Sequence, residues 1–155
     1  MRGRCARRHG TRSRGHVHKE ELHDRPALLS GAPFEEMAGY ARAVIDPPYV
    51  FVSGTTGFDP DTLVFPEDVE SQCENCFENI RRALAHAGCS LHDMIRVRVF
   101  VASQEEFERI KPIIKAHCDV ARPANTTVLA QLVEPRMRVE VEVTAKIPPE
   151  EGGRR

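Results

Sequence analysis

Apolar and polar positions fall into two periods along this chain. Ala41 to Ile45 and Tyr49 to Ser53 are short apolar runs flanking Asp46-Pro47-Pro48. Asp-Pro favours a turn, so the pattern predicts a β-hairpin. Ser53-Gly54-Thr55-Thr56-Gly57 is expected to leave the strand as a loop, its glycines free to take positive φ. Phe58-Asp59-Pro60-Asp61 reads as a further turn. Pro66 suits a first helical position, and Glu67 and Asp68 complement the helix dipole. Val69, Cys73, Cys76, Phe77, Ile80, Leu84 and Ala87 then recur at helical spacing until Gly88, a left-handed stop.

A period of two follows, with Ile95, Val97, Val99 and Val101 alternating against Arg96, Arg98 and Phe100. Ser103 and Glu106 make a capping box for a second helix with Phe107, Ile110, Ile113 and Ile114 on its apolar face. Pro112 is expected to kink or split it. Residues 126–132 and 137–147 are the last two strands; Val139, Val141 and Val143 face one way, Glu140, Glu142 and Thr144 the other. The predicted order is β-β-α-β-α-β-β, an α+β two-layer sandwich with helices on one face of a mixed sheet. With no internal repeat or second linker, residues 26–148 are expected to form a single domain, with 149–155 a flexible C-terminal tail. Burying Glu140 and Glu142 in a monomer is awkward, so their strand face is expected to be solvated or to line a polar pocket between subunits.

Composition narrows the function classes. At 155 residues the chain can build one core without staples. Its apolar runs fall far short of the ~20 residues of a membrane span, and no apolar h-region follows the basic start, so neither a membrane nor a secretory signal is expected. The five cysteines are then expected to be reduced thiols in a cytoplasmic protein. Of the 22 Lys and Arg residues, seven lie in residues 1–19, which hold no acid. All 23 Asp and Glu residues lie in the remainder, and an acidic body disfavours nucleic acid as a partner. Residues 1–25 offer almost nothing to bury and are expected to be a disordered basic extension. A transit peptide and an arm for nucleic acid or an acidic partner are the alternatives.

Several constellations could carry chemistry. Cys73-x-x-Cys76, with His86, Cys89 and His92, supplies enough ligands for zinc. However, Cys73 and Cys76 lie on the apolar stripe, where cysteine acts as a small hydrophobe. The other three fall at or beyond the helix end, roughly 15–20 Å away. Core packing is the expectation, and no metal is assigned. Adjacent helical residues point apart, which argues against His117-Cys118 as a nucleophile pair. SGTTG lacks the lysine and spacing of a phosphate loop. Glu140 and Glu142 share one strand face, where one carboxylate can raise the pKa of the other and create an acid–base group. The alternative is a solvated edge, or pairing with Arg136, Arg138 or Lys146.

The chain also resembles a known family. Ser30-Gly31-Ala32-Pro33-Phe34-Glu35, Gly39-Tyr40-Ala41-Arg42-Ala43-Val44 and Val50-Phe51-Val52-Ser53-Gly54-Thr55-Thr56-Gly57 resemble the opening of the Rid family (YjgF, also called endoribonuclease L-PSP). Gln72, Asn79 and Gly88 look like its first helix and stop; Arg122-Pro123-Ala124 and Val139-Glu140-Val141-Glu142 look like its closing motif. The resemblance implies a chorismate-mutase-like fold, a homotrimer with small-molecule clefts between adjacent subunits, and no cofactor or metal. Archetypal RidA-type members hydrolyse enamines and imines to a keto acid and ammonia. Carried over by position, Glu140 matches the glutamate that positions or activates water. Tyr40 matches a cleft tyrosine, and Ser53-Gly54 the Ser-Gly at a strand end. Asn125, Thr126 and Thr127 fall on the closing substrate-binding stretch.

Asn125 departs from the pattern, because RidA-type deaminases carry an arginine there. Lys111 likewise stands where asparagine is usual. The SGxPxE…GYxRAV…VSGTTG wording also resembles a branch of the family that lacks the arginine. An arginine fork grips a carboxylate bidentately. Losing two charge-assisted bonds of ~1.5–3 kcal/mol each weakens carboxylate binding about a hundredfold or more. The expected function is therefore deamination of an imine or enamine other than the simple 2-imino acids. The alternative is a noncatalytic small-molecule-binding trimer. A ribonuclease or translation inhibitor comes third, since two tyrosines and no tryptophan offer little for stacking RNA.

Overall fold

The computed structural model describes residues 18–22, 25–59, 61–62 and 64–149. Seven strands form one sheet: β1 (His18–Leu22), β2 (Arg25–Leu29), β3 (Ala43–Asp46), β4 (Tyr49–Thr56), β5 (Met94–Val101), β6 (Ala124–Leu129) and β7 (Val139–Lys146). Their order is β1-β2-β3-β4-β7-β5-β6. All neighbours are antiparallel except β5 and β6, which are parallel. Three α-helices accompany the sheet: α1 (Pro33–Ala38), α2 (Val69–His86) and α3 (Gln104–Cys118). Helix α3 is the crossover that parallel pairing of β5 and β6 requires. The architecture is the expected α+β sandwich, with α2 packed on β4 and β7, and α3 on α2 and β5.

The core lies between these helices and one sheet face. Cys73, Cys76, Phe77, Ile80 and Leu84 of α2 meet Val50 and Val52 of β4, Val97, Val99 and Val101 of β5, and Val139, Val141 and Val143 of β7. Each fully buried Val, Leu, Ile or Phe contributes ~1.5–3 kcal/mol relative to exposure. Among the described residues, the opposite face carries no core cluster. Tyr49, Phe51 and Val128 are exposed on it.

The structure corrects several boundaries. His18–Leu22, expected within the unstructured extension, pairs antiparallel with Arg25–Leu29. An edge strand gains backbone hydrogen bonds without an apolar face, so composition does not reveal it. Residues 1–17 and 150–155, holding the rest of the extension and most of the C-terminal tail, lie outside the described residues. Ser53-Gly54-Thr55-Thr56 stays in β4, with a register shift between Val52 and Thr55. Helix α2 begins at Val69, because the Asp68 side chain accepts from the Ser71 backbone as its N-cap. Helix α3 continues through Pro112 as one element; Ile110 and Ile114, on either side, are held in the core. A shift between Met94 and Arg96 turns Met94 inward and leaves Ile95 exposed. Strand β6 spans Ala124–Leu129, earlier than expected.

Candidate active site

The register shift in β4 creates the site. It takes Ser53 and Gly54 out of the ladder with β7, beside Glu140. A Cβ on Gly54 would stand 1.8 Å from Glu140 Oε1, so glycine is what lets the carboxyl lie against the β4 backbone. Ser53 Oγ donates to the Ala41 carbonyl at 2.8 Å, tying this opening to the segment before β3.

Arg42 organises the rest. Its Nη1 donates to the Gly54 carbonyl at 3.0 Å and to Thr55 Oγ1 at 2.8 Å, and its Nη2 to the Tyr40 hydroxyl at 3.2 Å. The guanidinium also lies 5.6 Å from the centre of the Tyr40 ring. Its Nε reaches Glu35 Oε1 at 3.5 Å, in an ion pair whose side chains are only 11% and 5% exposed. Glu35 in turn accepts from Ser30 Oγ at 2.5 Å, Ser30 N–H at 2.9 Å and Gly31 N–H at 3.2 Å. The Ser30-Gly31…Glu35 motif is thus a clasp that satisfies a buried carboxylate and carries it to Arg42.

These groups border a cavity of about 850 Å³. Tyr40, Arg42, Ser53, Gly54 and Glu140 line one part; Phe58, Phe65, Asn79, Arg136 and Met137 line another. Burial pushes the Glu140 carboxyl up from the ordinary carboxylate range, and neighbouring Glu142 adds to this, while Arg42 opposes it. A carboxyl poised this way exchanges protons more readily near neutral pH. Glu142 pairs with Arg98 at 2.6 Å. Of the residues offered as partners for the two carboxylates, Arg136 and Arg138 are engaged elsewhere, with Glu134 and Glu106.

Of the residues singled out from sequence, Tyr40, Ser53, Gly54 and Glu140 meet at this cavity. Asn125, Thr126 and Thr127 do not border it. They lie on β6, three strand positions from β4, or about 14 Å at ~4.8 Å per strand. Asn125 is paired with Val97, while Thr126 is level with Arg98 on the open face. Thr127 Oγ1 donates to Asn125 Oδ1 at 3.1 Å.

Sequence reasoning missed Arg42 and Glu35 as a buried pair; the only signal was an arginine entering an apolar strand seven residues after a glutamate. It also missed the cavity's aromatic wall, which comes from a loop without periodicity. Cys73 and Cys76 are fully buried, and burial pushes the Cys73 thiol up to about 12, so it stays protonated. His117 Nε2 lies 2.7 Å from Glu74 Oε2 and its ring stacks on Phe77, joining α3 to α2. Burial raises the neighbouring Cys118 thiol as well.

The arrangement defines a class first: an α+β two-layer protein of the chorismate-mutase-like kind, with a carboxyl-bearing cavity beside its sheet. The family model described as Endoribonuclease L-PSP matches residues 31–147, and the chain belongs to this family. A solved Mycobacterium tuberculosis structure, a member of the YjgF/YER057c/UK114 family, superposes with a TM-score of 0.72. It is 31% identical and covers 79% of this chain and 99% of its own. An uncharacterized Streptomyces coelicolor protein is 35% identical over 119 residues, which is 76% of this chain and 89% of that one. The mouse 2-iminobutanoate/2-iminopropanoate deaminase is 25% identical over 107 residues, 68% of this chain and 79% of the relative.

Proposed function

We propose that this chain hydrolyses the C=N bond of an imine, or of the imine tautomer of an enamine, releasing ammonia. The substrate is not one of the simple 2-imino acids. Glu140 is the catalytic group. It gives its proton to the imine nitrogen and takes one from water as the water oxygen adds to the imine carbon, giving a carbinolamine. It then gives that proton to nitrogen and takes the hydroxyl proton as the C–N bond breaks, leaving a carbonyl and ammonia. The single observation carrying this reading is Glu140 itself: a carboxyl raised by burial, lying against the backbone at Gly54 and lining a cavity large enough for a ligand. The name of the mouse relative supports the reaction type. Asn125, where the family resemblance implies a carboxylate-gripping arginine, argues against simple 2-imino acids as substrates.

The functional unit in this proposal is a homotrimer. Tyr49, Phe51 and Val128 are exposed on the helix-free face. The β6 residues reach a Tyr40–Glu140 cavity only if a neighbouring copy supplies them. A noncatalytic ligand-binding trimer is the second reading, favoured by Asn125. Ammonia release from a panel of imines, measured for the wild type and Glu140→Gln, decides between them. Turnover lost in the variant supports catalysis; ligand stabilisation without turnover supports the binder.

A further inference from the structure

We infer that the cavity takes an uncharged ligand bearing an aromatic or similarly bulky apolar group. This rests on the reading above that the Glu140 cavity is the ligand site, and it names the class of ligand. Size is the first observation. The part of the cavity built by one chain measures about 850 Å³, several times the ~150 Å³ that is enough to bind benzene, which leaves room for a bulky group beside the β6 residues that a neighbouring copy would supply.

The character of the wall is the second observation. The Phe58 and Phe65 rings lie 5.4 Å apart at a 60° tilt, the geometry aromatic side chains favour. Phe34 and Tyr40 also line the cavity. The Phe58–Phe65 wall is held in place by a polar face of α2. Asn79 donates to the Phe58 carbonyl at 2.9 Å and Asn75 to the Gly57 carbonyl at 3.2 Å. Gln72 donates to the Pro66 carbonyl at 2.7 Å and to the Arg136 carbonyl at 2.9 Å. Spaced three and four residues apart, these amides share one helix face. A wall fixed this way pays little ordering entropy on binding.

Charge is the third. Three guanidiniums line the cavity, and each already accompanies a carboxylate. Arg42 pairs with Glu35, Arg82 with Glu78 and Asp61, and Arg136 with Glu134. A ligand carboxylate would meet Glu140 and Glu134 on the same lining, where every guanidinium of this chain is already paired, and the β6 stretch that a neighbouring copy would bring carries Asn125 and not an arginine. A neutral head group avoids that repulsion.

Isothermal titration of the intact chain with phenylacetamide, phenylacetate and acetamide tests this. Phenylacetamide is expected to bind at least ~10-fold tighter than either of the others, since each 1.4 kcal/mol is tenfold. Phe65→Ala should weaken phenylacetamide by roughly 3- to 10-fold, the range for an aromatic contact. Phe34→Ala should act in the same direction; Phe34 is 53% exposed, so its loss does not threaten the fold. Glu134→Gln, which frees Arg136, should narrow the gap between phenylacetate and phenylacetamide. Phenylacetate binding as tightly as phenylacetamide would overturn the inference. So would acetamide matching phenylacetamide, or no binding of phenylacetamide. The assay reads binding without turnover. Absent hydrolysis with intact phenylacetamide binding refutes only the proposed reaction. Hydrolysis of 2-iminopropanoate without phenylacetamide binding refutes this inference and the claim that simple 2-imino acids are excluded, leaving the Glu140 chemistry standing.

Discussion

Gly54→Ala should separate folding from chemistry. The added Cβ would stand 1.8 Å from Glu140 Oε1, 2.9 Å from Cδ and 3.4 Å from Cγ. Ordinary carbon–oxygen contacts begin near ~3.3 Å, so the carboxyl must withdraw by about 1.5 Å. It is the far end of a flexible side chain, and an off-rotamer adjustment costs ~0.5–1.5 kcal/mol. That is small against a typical stability of ~5–15 kcal/mol. A displacement above ~1 Å at a reacting group, however, costs about a hundredfold in rate. Gly57→Ala is the control. Its Cβ would meet Gln72 Cβ at 2.3 Å, Cα at 2.4 Å and the carbonyl oxygen at 2.7 Å, all fixed by helix α2. Overpacking against backbone costs ~1–3 kcal/mol and sometimes more. Thermal melts and ammonia release, at one protein concentration, read both effects. Gly54→Ala should melt within ~4 °C of wild type and lose about 100-fold in turnover, while Gly57→Ala melts clearly lower. Full turnover in Gly54→Ala, or a loss of stability matching Gly57→Ala, would refute the assignment of Gly54 as clearance for Glu140.

Arg42→Ala leaves Glu35 buried without its cation and should cost ~3–5 kcal/mol by denaturant titration; Arg42→Lys should recover only part, because a lysine cannot reproduce the fork. Gln72→Leu leaves the Arg138 N–H, which donates to Gln72 Oε1 at 2.9 Å, and the Pro66 and Arg136 carbonyls without their amide partner. Each unsatisfied group costs ~1–3 kcal/mol, so the three together should lower stability by at least ~3 kcal/mol in a denaturant titration. Glu140→Gln should raise Tm at pH 8. The folded-state pKa of Glu140 is raised, so its ionised form costs stability above that pKa. The gain should shrink as pH falls through the raised folded-state pKa and vanish below the ordinary glutamate pKa of ~4.3, where the carboxyl is protonated folded and unfolded. A pH-independent Tm difference would show that Glu140 carries no burial penalty.

How much of this was legible in the sequence follows from which forces leave periodic traces. Burial does. The alternation of Val139, Val141 and Val143 with Glu140, Glu142 and Thr144 appears directly as two sheet faces, and the α2 stripe from Val69 to Leu84 is buried as its spacing implies. Backbone pairing by itself does not, so β1 was invisible. The slip at Ser53-Gly54 was equally hidden, because glycines that suit a loop also suit a strand irregularity. Tyr40, Ser53 and Gly54 were found through family resemblance rather than spacing, whereas Glu140 stood out first by its place on a strand face beside Glu142 and then by the resemblance. Arg42 and Glu35 escaped because pairing across the fold neutralises a buried charge and leaves no pattern along the chain. Thr126 and Thr127 were correctly placed on a strand, while Asn125 was left just before it although β6 begins at Ala124; the relation of all three to the cavity rests on the proposed trimer, which one chain's pattern does not encode.

Ammonia release from imines generated in situ, comparing a neutral aryl imine with 2-iminopropanoate, tests the central claim most directly. The intact wild-type chain should accelerate hydrolysis of the aryl imine and leave 2-iminopropanoate near its spontaneous rate, and Glu140→Gln should lose the acceleration while keeping the fold and oligomeric state of wild type. An aryl imine hydrolysed equally by wild type and Glu140→Gln, or no imine accelerated at all, would contradict the account.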